Sequence, residues 1–580
     1  MEINSSAEAY YTTIDQIPRC VRSLFAKYES INHPVISEFI SSIPNNFSDA
    51  VNKIISSSFT SSDYRATAAR PMDYVIFNNR SKLQKFIDKF HLEANTMTNG
   101  VSSSIKLLNL PTTKILISIH QPNLFAYSGV FKKIVLLETL KNMIEKHDPN
   151  KKIINLFLIV DHDFMDESWI RLAQLPSIRH SSGILELRLP VNNSMRWKMI
   201  CNMPIPGLTI LDYWRKQINS WIRKNSFLNS LSSDDKSRVL HNFEEFWQEV
   251  EISYSRAKSY SDFNSFLMSQ LVNKIWGYDT LFVRLTDIPS VFEDGFKYLI
   301  SNFSRYSDVL RKTKNMFLAH GIDTGVSSSS YLNAPMWLHC KCGSKAHAKI
   351  QENQQRETIL EGVCMSCKKH LHLKLDNHHH KLDLSNEEVI HTISPRAIPI
   401  LLLLSRDLGV ECYASGIGGS MGYTVVASTA FRELSINMPL TMVWPSTDIY
   451  FGFGQSEALE LAQLTKQSDI RLYIERLKQT DAKHRYEITP LIKERMRKIN
   501  DGEPIQDLLS DLFNRKEEQR KTRQLIKVAD KVKNITYMKP CFIDYAANFG
   551  MVNTEIQWRQ NLLNNNNLAA PILMTTKVED

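Results

Sequence analysis

Two apolar runs, each ending in a polar cluster, constrain this chain more than any other feature. Ile115-Leu116-Ile117-Ser118-Ile119 leads straight into His120-Gln121-Pro122-Asn123. A helical stretch from about Val130 to Ile144 separates it from a second run, Ile153 to Val160, which ends in Asp161-His162-Asp163-Phe164. Unbroken runs rich in Ile and Val suit strands covered on both faces, as in parallel sheets. Strand, helix, strand is a βαβ unit, and such sheets bind ligands beyond the carboxyl ends of their strands. Both clusters fall at that edge, so a binding or catalytic crevice is expected there.

At 580 residues the chain is too long for one ordinary core, and roughly two to four domains are expected. Its 43% apolar and 23% charged residues are those of a globular protein rather than a disordered or membrane-embedded one. Apolar runs fall short of the roughly 18 residues of a membrane span. Ala397 to Leu404, one of the longest, is interrupted by Pro399. The opening Met1-Glu2-Ile3-Asn4 has no basic and apolar leader, so a cytoplasmic location and no membrane partner are expected. The net charge of +9 comes from 70 basic against 61 acidic residues, which fits an enzyme for an anionic substrate at least as well as a nucleic-acid binder. The densest basic stretch, Arg515 to Lys533, also holds Glu517, Glu518 and Asp530 and reads as a solvated helix face.

Changes of periodicity divide the chain. Residues 1–112 read as an interrupted helical region, with turn or cap candidates at Ser41-Ser42, Ser56-Ser57-Ser58, Ser61-Ser62-Asp63 and Asn99-Gly100. Residues 113–210 form the first half of an α/β core, ending near the alternating Leu185-Glu186-Leu187-Arg188-Leu189. Residues 211–336 are a helical connecting segment whose many aromatics are read as core packing rather than a stacking surface for bases. That segment returns to the core through the strand Leu281-Phe282-Val283-Arg284-Leu285 and a helix from about Val291 to Phe317. A cysteine-bearing insert takes 337–376, the second half of the core 377–455, a charged helical arm 456–540, and a C-terminal segment and tail 541–580. In the arm Leu525, Val528, Val532 and Ile535 recur at coiled-coil-like spacing, so a homodimer contact is expected there. The end, with Asn564 to Asn567 and Met574 to Asp580, is expected to be a loose tail.

The insert holds Cys340-Lys341-Cys342-Gly343 and, after the 21 residues Gly343 to Val363, Cys364-Met365-Ser366-Cys367. Four soft thiolates presented by two tight knuckles match the tetrahedral preference of Zn²⁺, so Cys340, Cys342, Cys364 and Cys367 are expected to form a structural zinc ribbon. The first pair is tighter than the usual C-x-x-C, and His339 or His347 can replace one thiolate. Disulfides are the competing reading, disfavoured in a cytosolic chain. Cys20, Cys201, Cys412 and Cys541 are scattered and read as packing residues, and the triplet His378-His379-His380 as a loop.

In the first polar cluster His120 can exchange protons near neutrality, and Gln121 and Asn123 can donate and accept hydrogen bonds. In the second, Asp161 and Asp163 flank His162, a pattern suited to a general base or to Mg²⁺ beside a phosphate. Helix capping by the two carboxylates is the plain alternative. A third cluster comprises Ser394-Pro395-Arg396 and the loop from Gly416 through Gly418, Gly419 and Ser420 to Tyr423, each preceding a helix. Backbone N–H groups there can hold phosphate or carboxylate, with Arg396 adding a bidentate contact, or the loop can simply be a tight connection.

In that order, Ser118 to Asn123, Asp161 to Phe164, Ser394 to Arg396 and Gly416 to Tyr423, the clusters resemble the cysteine-adding enzymes of bacillithiol biosynthesis, the BshC-type cysteine ligases. The resemblance extends over roughly residues 70 to 550, and Asp-His-Asp-Phe is its most specific part. The chain departs from the family's Gly-Gln-Gln at Ile119-His120-Gln121, lacks a Pro-Gly-Glu continuation of the glycine loop, and adds the cysteine insert. The resemblance implies a Rossmann-like core with helical insertions and a coiled-coil arm. It also implies a ligase joining cysteine or a related amino acid to an amine of a sugar-type acceptor, with ATP and Mg²⁺ expected for carboxyl activation. In that scheme Asp161 or Asp163, with His162 and His120, handles protons. Ser118, Gln121, Asn123, Ser394, Arg396 and the glycine loop bind substrates. Locally, Ile119 to Asn123 with Gly129 and Phe131-Lys132-Lys133-Ile134 also resembles the WbqC-like family of surface-polysaccharide loci, a transferase alternative. A zinc-ribbon nucleic-acid-binding or scaffold protein is a third reading; it leaves the clusters at the strand ends unexplained.

Overall fold

The two apolar runs become neighbouring strands, β1 (Lys114–His120) and β2 (Ile153–Ile159), paired in parallel from Lys114↔Ile153 to His120↔Ile159. The helix Ser128–His147 crosses between them. The computed structural model describes residues 20–56, 71–324, 326, 333–352, 358–374, 387–417, 419–445, 448–461, 470–538, 540–565, 567–570 and 572–575. The turn candidate Ser61-Ser62-Asp63 and the triplet His378-His379-His380 lie outside them.

After β2 the chain makes an antiparallel ribbon of β3 (Leu172–Pro176) and β4 (Ile184–Arg188). The alternation at 185–189 is therefore real, but its strand stands outside the central sheet. Helices Leu208–Arg223, Ser233–Arg256 and Tyr260–Ser269 follow, and Trp214, Phe243, Phe246, Trp247 and Phe263 are all buried, as core packing requires. Then comes β5 (Leu281–Arg284) beside β2. The helix expected over 291–317 is broken at Asn302 into Glu293–Ser301 and Phe303–Ala319.

The insert contributes β6 (Met336–His339), β7 (Lys345–His347), β8 (Lys349–Glu352), β9 (Thr358–Val363) and β10 (His370–Lys374). It does not end where the cysteine pattern ends, because β11 (Ile393–Pro395) pairs antiparallel with β6. After the helix Ala397–Leu408 come β12 (Val410–Ser415), the helix Gly419–Glu433 and β13 (Leu440–Val443). Gly409 closes the first of these helices in the left-handed region at φ 62°, where a side chain would be strained.

The central sheet is parallel throughout, in the order β13-β12-β1-β2-β5. Successive strands step to one side of β1 and then to the other, so a crevice opens at the carboxyl ends of β1 and β12. No helix among the described residues is long and apolar enough to cross a membrane.

The charged arm is a hairpin of two long helices, Ile470–Asn500 and Gln506–Tyr537. Ion pairs Arg515–Glu487 and Arg523–Asp481 across it fix an antiparallel pairing. Its base is pinned by Ile474, Ala529, Val532 and Ile535 against Ile178 and Ala458. Leu525, expected on the same stripe, is instead 49% exposed. Of the expected tail, Asn566 and residues 576–580 lie outside the described residues, and other parts belong to regular elements. Asn564 ends the helix Met551–Asn564, and Met574 lies in β15 (Ile572–Thr575), parallel to β14 (Asp448–Phe451).

Candidate active-site crevice

Because β1 and β2 are adjacent and in register, the residues that follow them meet. Gln121 Nε2 donates to Asp163 Oδ2 at 2.6 Å. Neither aspartate caps a helix; the plain alternative fails because only the short 3₁₀ turn Ser168–Ile170 follows. Asp161 and Asp163 face different ways. Asp161 is fully buried, and its two oxygens accept from the Thr286 amide at 3.1 Å and the Thr286 hydroxyl at 2.6 Å, just beyond β5. Burial pushes its carboxyl up to about 7, against the Thr286 hydroxyl bond. Asp163 keeps a third of its side chain exposed in the crevice.

Opposite Asp163 stands a residue that the sequence reading overlooked. Lys345, at the start of β7, is 1% exposed and holds Nζ 3.5 Å from Asp163 Oδ1. The ammonium lies 4.2 Å from the Trp337 ring centroid and 4.8 Å from that of Phe164, in cation–π contact with both. Burial lowers it to about 8, with Asp163 opposing the shift. Arg396, the residue after β11, brings its guanidinium 5.3 Å from the same Trp337 ring. Burial raises the Tyr423 phenol; Asp163 adds to that shift and Arg396 opposes it, so Tyr423 borders both.

The histidines here are neutral. His162 is buried, with Nε2 3.5 Å from Asp163 Oδ1, and burial holds it well below its ordinary pKa. His120 is held down to about 3 by burial and by the nearby Lys133. Its ring nitrogens pair with the Gln121 carbonyl and the Tyr127 hydroxyl, each at 3.0 Å. Lys133, a second residue absent from the candidate set, donates to the Ile119 carbonyl at 2.8 Å and is lowered to about 7 by burial.

The other candidates sit as follows in the fold. Asn123 is buried and lines a small pocket with Phe125, Phe246 and Asn264, and neither of its side-chain polar atoms is hydrogen-bonded. Ser118 is buried within the sheet opposite Phe157 and Ala414. Ser394 shares a hydrogen bond of 2.8 Å with His339 Nε2. Gly416 follows β12, and Gly419 and Ser420 begin the helix after it; Gly418 lies outside the described residues.

The four cysteines come together. The sulfurs of Cys340, Cys342, Cys364 and Cys367 lie within 4.8 Å of one another, close enough to bind a metal such as zinc. Gly343 turns the first knuckle at φ 88°, a conformation that strains any residue with a Cβ. His339 is engaged by Ser394 and the His391 carbonyl, and His347 packs at a tilt on Trp337 at 4.3 Å; the cluster comprises the four cysteines without either. Of the scattered cysteines, Cys412 and Cys541 are buried packing residues. Cys201 is intermediate in exposure, and its amide donates to the Asp161 carbonyl in the crevice wall.

The cysteine cluster is built onto this wall. The Gly343 carbonyl accepts from the Met199 amide at 2.9 Å and from Asn202 Nδ2 at 3.2 Å. The next amide, Ile200, donates to the Asp163 carbonyl at 2.8 Å. In comparisons with known proteins, no family model and no curated protein matches the chain.

Proposed function

We propose that this chain is a cytoplasmic ligase of the BshC type, joining cysteine or a related amino acid to an amine on a sugar-type acceptor. One observation carries the reading: Asp163, a part-exposed carboxylate oriented by Gln121 and faced by buried Lys345, stands where open parallel sheets bind ligands. The strand order, with later strands on both sides of β1, supports a Rossmann-like core. In this scheme the amino acid's carboxylate would first attack a phosphorus of ATP, a co-substrate brought with Mg²⁺, giving an acyl phosphate or acyl adenylate and releasing ADP or pyrophosphate. The acceptor amine attacks the acyl carbon, the C–N bond forms, and the phosphate-bearing group leaves with its electron pair. Asp163 takes the proton released by the amine, and Arg396 offsets the negative charge that develops on the acyl oxygen. The metal is a structural zinc, since four thiolates leave no open position for substrate. The helical hairpin is the coiled-coil arm of a homodimer.

The WbqC-like alternative draws on one specific observation. His120 and Lys133, both from that local motif, meet at the end of β1. The two readings separate by mass spectrometry of thiols and their conjugates in cells carrying the wild-type gene, no gene, or Asp163→Asn. The ligase reading expects an amino acid–sugar amine conjugate only with the wild-type gene. With purified protein, Asp163→Asn should depress turnover by about 10²- to 10⁴-fold without altering folding. Conjugate levels independent of the gene would refute the ligase assignment.

A further inference from the structure

The crevice holds more positive charge than the chain neutralises. Lys345 and Arg396 come from different segments, β7 and the residue after β11, and both are brought to Trp337 because β6, which carries it, pairs with both strands. Lys345 shares Asp163 at 3.5 Å, a long contact for an ammonium, while that carboxylate already accepts from Gln121. Arg396 forms no side-chain hydrogen bond or ion pair among the described residues, and its Nη1 is buried without a partner. The neighbouring rings cannot supply a counter-charge. Burial holds His162 and His347 below their ordinary pKa and the phenols of Tyr306 and Tyr423 above theirs, so each favours its neutral form. A buried ammonium with one long carboxylate contact and a half-buried guanidinium with an unpartnered Nη1, gathered at one indole, are unfavourable unless an anion joins them. A structural ion pair does not explain the arrangement, because the guanidinium lacks one.

We infer that Lys345 and Arg396 form a binding site for a carboxylate or phosphate group of the substrate, and that the cysteine insert supplies half of it. A guanidinium offers two parallel donors to such a group, an ammonium adds a point charge, and the indole keeps both in place. Lys345 lies two residues beyond Gly343 on the hairpin that the first knuckle closes. The Cys340 amide donates to the Ser344 carbonyl at 2.8 Å, and the Met365 amide, between the second pair of thiols, donates to the Lys345 carbonyl at 3.2 Å. Metal binding by the four cysteines thereby sets the position of Lys345. This inference rests on the crevice assigned above but not on the reaction proposed for it.

The test is calorimetric titration of the full, metal-loaded chain at low salt with inorganic phosphate and, separately, with acetate. One saturable site is expected, and the tighter probe identifies the class of anion. Arg396→Gln and Lys345→Met should each weaken binding about ten- to hundredfold, and Lys345→Arg should restore most of it. Thermal midpoints confirm that the variants are folded; should Lys345→Met not fold, Arg396→Gln with Lys345→Arg decides the matter. Asp163→Asn removes the competing carboxylate and should tighten binding, whatever its effect on turnover, so failure of the anion site is distinguishable from failure of the ligase reading. Stripping the metal with a chelator should weaken binding by a similar factor while the far-ultraviolet helix signal holds. Absence of saturable binding to folded wild type, or wild-type affinity in both Arg396→Gln and Lys345→Met, would overturn the site. Undiminished affinity in the metal-free protein would overturn its link to the insert.

Discussion

Asp161 and Asp163 stand two residues apart in one motif, yet their carboxyl groups meet different surroundings. The motif pointed to both equally. What separates them is β5, whose trailing Thr286 claims both oxygens of Asp161 and leaves Asp163 to the crevice. This predicts a role for Asp161 in stability that depends on pH. Its folded pKa of about 7 lies above an unfolded value of about 3.9. The native state therefore binds the extra proton between those values. That contribution to stability is complete below about pH 4 and is lost as pH rises to about 7, at up to about 1.4 kcal/mol per pH unit. Asp161→Asn should flatten this part of the slope, measured by urea denaturation at pH 5 and pH 7.5. Asp407 and Asp544, also pushed up to about 7 by burial, act alike in both proteins and cancel in the comparison. Parallel pH dependences for mutant and wild type would show that Asp161 is not the group responsible. Lys345, by contrast, was illegible. Nothing local distinguishes it from Lys341 or Lys349, and its burial exists only because the insert folds back onto Asp163.

Among the elements, the helical arm tests how far spacing predicts packing. The spacing of Leu525, Val528, Val532 and Ile535 predicts one seam, but a hairpin meets the body only at its base. Ile535 and Val532 are buried there against Ile178 and Ala458, whereas Leu525 has already left that contact. Ile535→Ala should cost about 2–5 kcal/mol through the cavity it leaves, and Leu525→Ala less than about 0.5 kcal/mol. Equal losses in denaturant midpoint would mean that the seam continues as the spacing suggested. The cross-hairpin ion pairs Arg515–Glu487 and Arg523–Asp481 are partly solvated and contribute little by comparison.

At the scale of the whole molecule, the far end of the hairpin carries apolar side chains that the body does not cover. Phe513 is 70% exposed, and Met496, Ile492 and Leu509 are 51%, 40% and 41% exposed. Antiparallel pairing places all four near the turn at Gly502. If this is the proposed dimer contact, Phe513→Ser with Met496→Ser should halve the mass measured by light scattering after gel filtration, with the thermal midpoint nearly unchanged. A wild-type chain that is monomeric at micromolar concentration would remove the proposal.

The sequence by itself determined the parallel strands, the edge at which their polar clusters meet, and the gathering of the four cysteines. Each rests on local properties: unbroken apolar runs, turn residues, and ligand chemistry at fixed spacing. It did not determine which candidates share the crevice. Asn123 turned inward beside Phe125 and Phe246, Ser118 stayed inside the sheet, and β4 fell outside it. Nor did it reveal that the cysteine insert, separated from Asp163 by more of the chain than any local signal spans, docks against that carboxylate through Gly343, Met199 and Lys345. Those outcomes depend on which surfaces bury one another and where a desolvated charge finds its partner, and only the tertiary structure decides them.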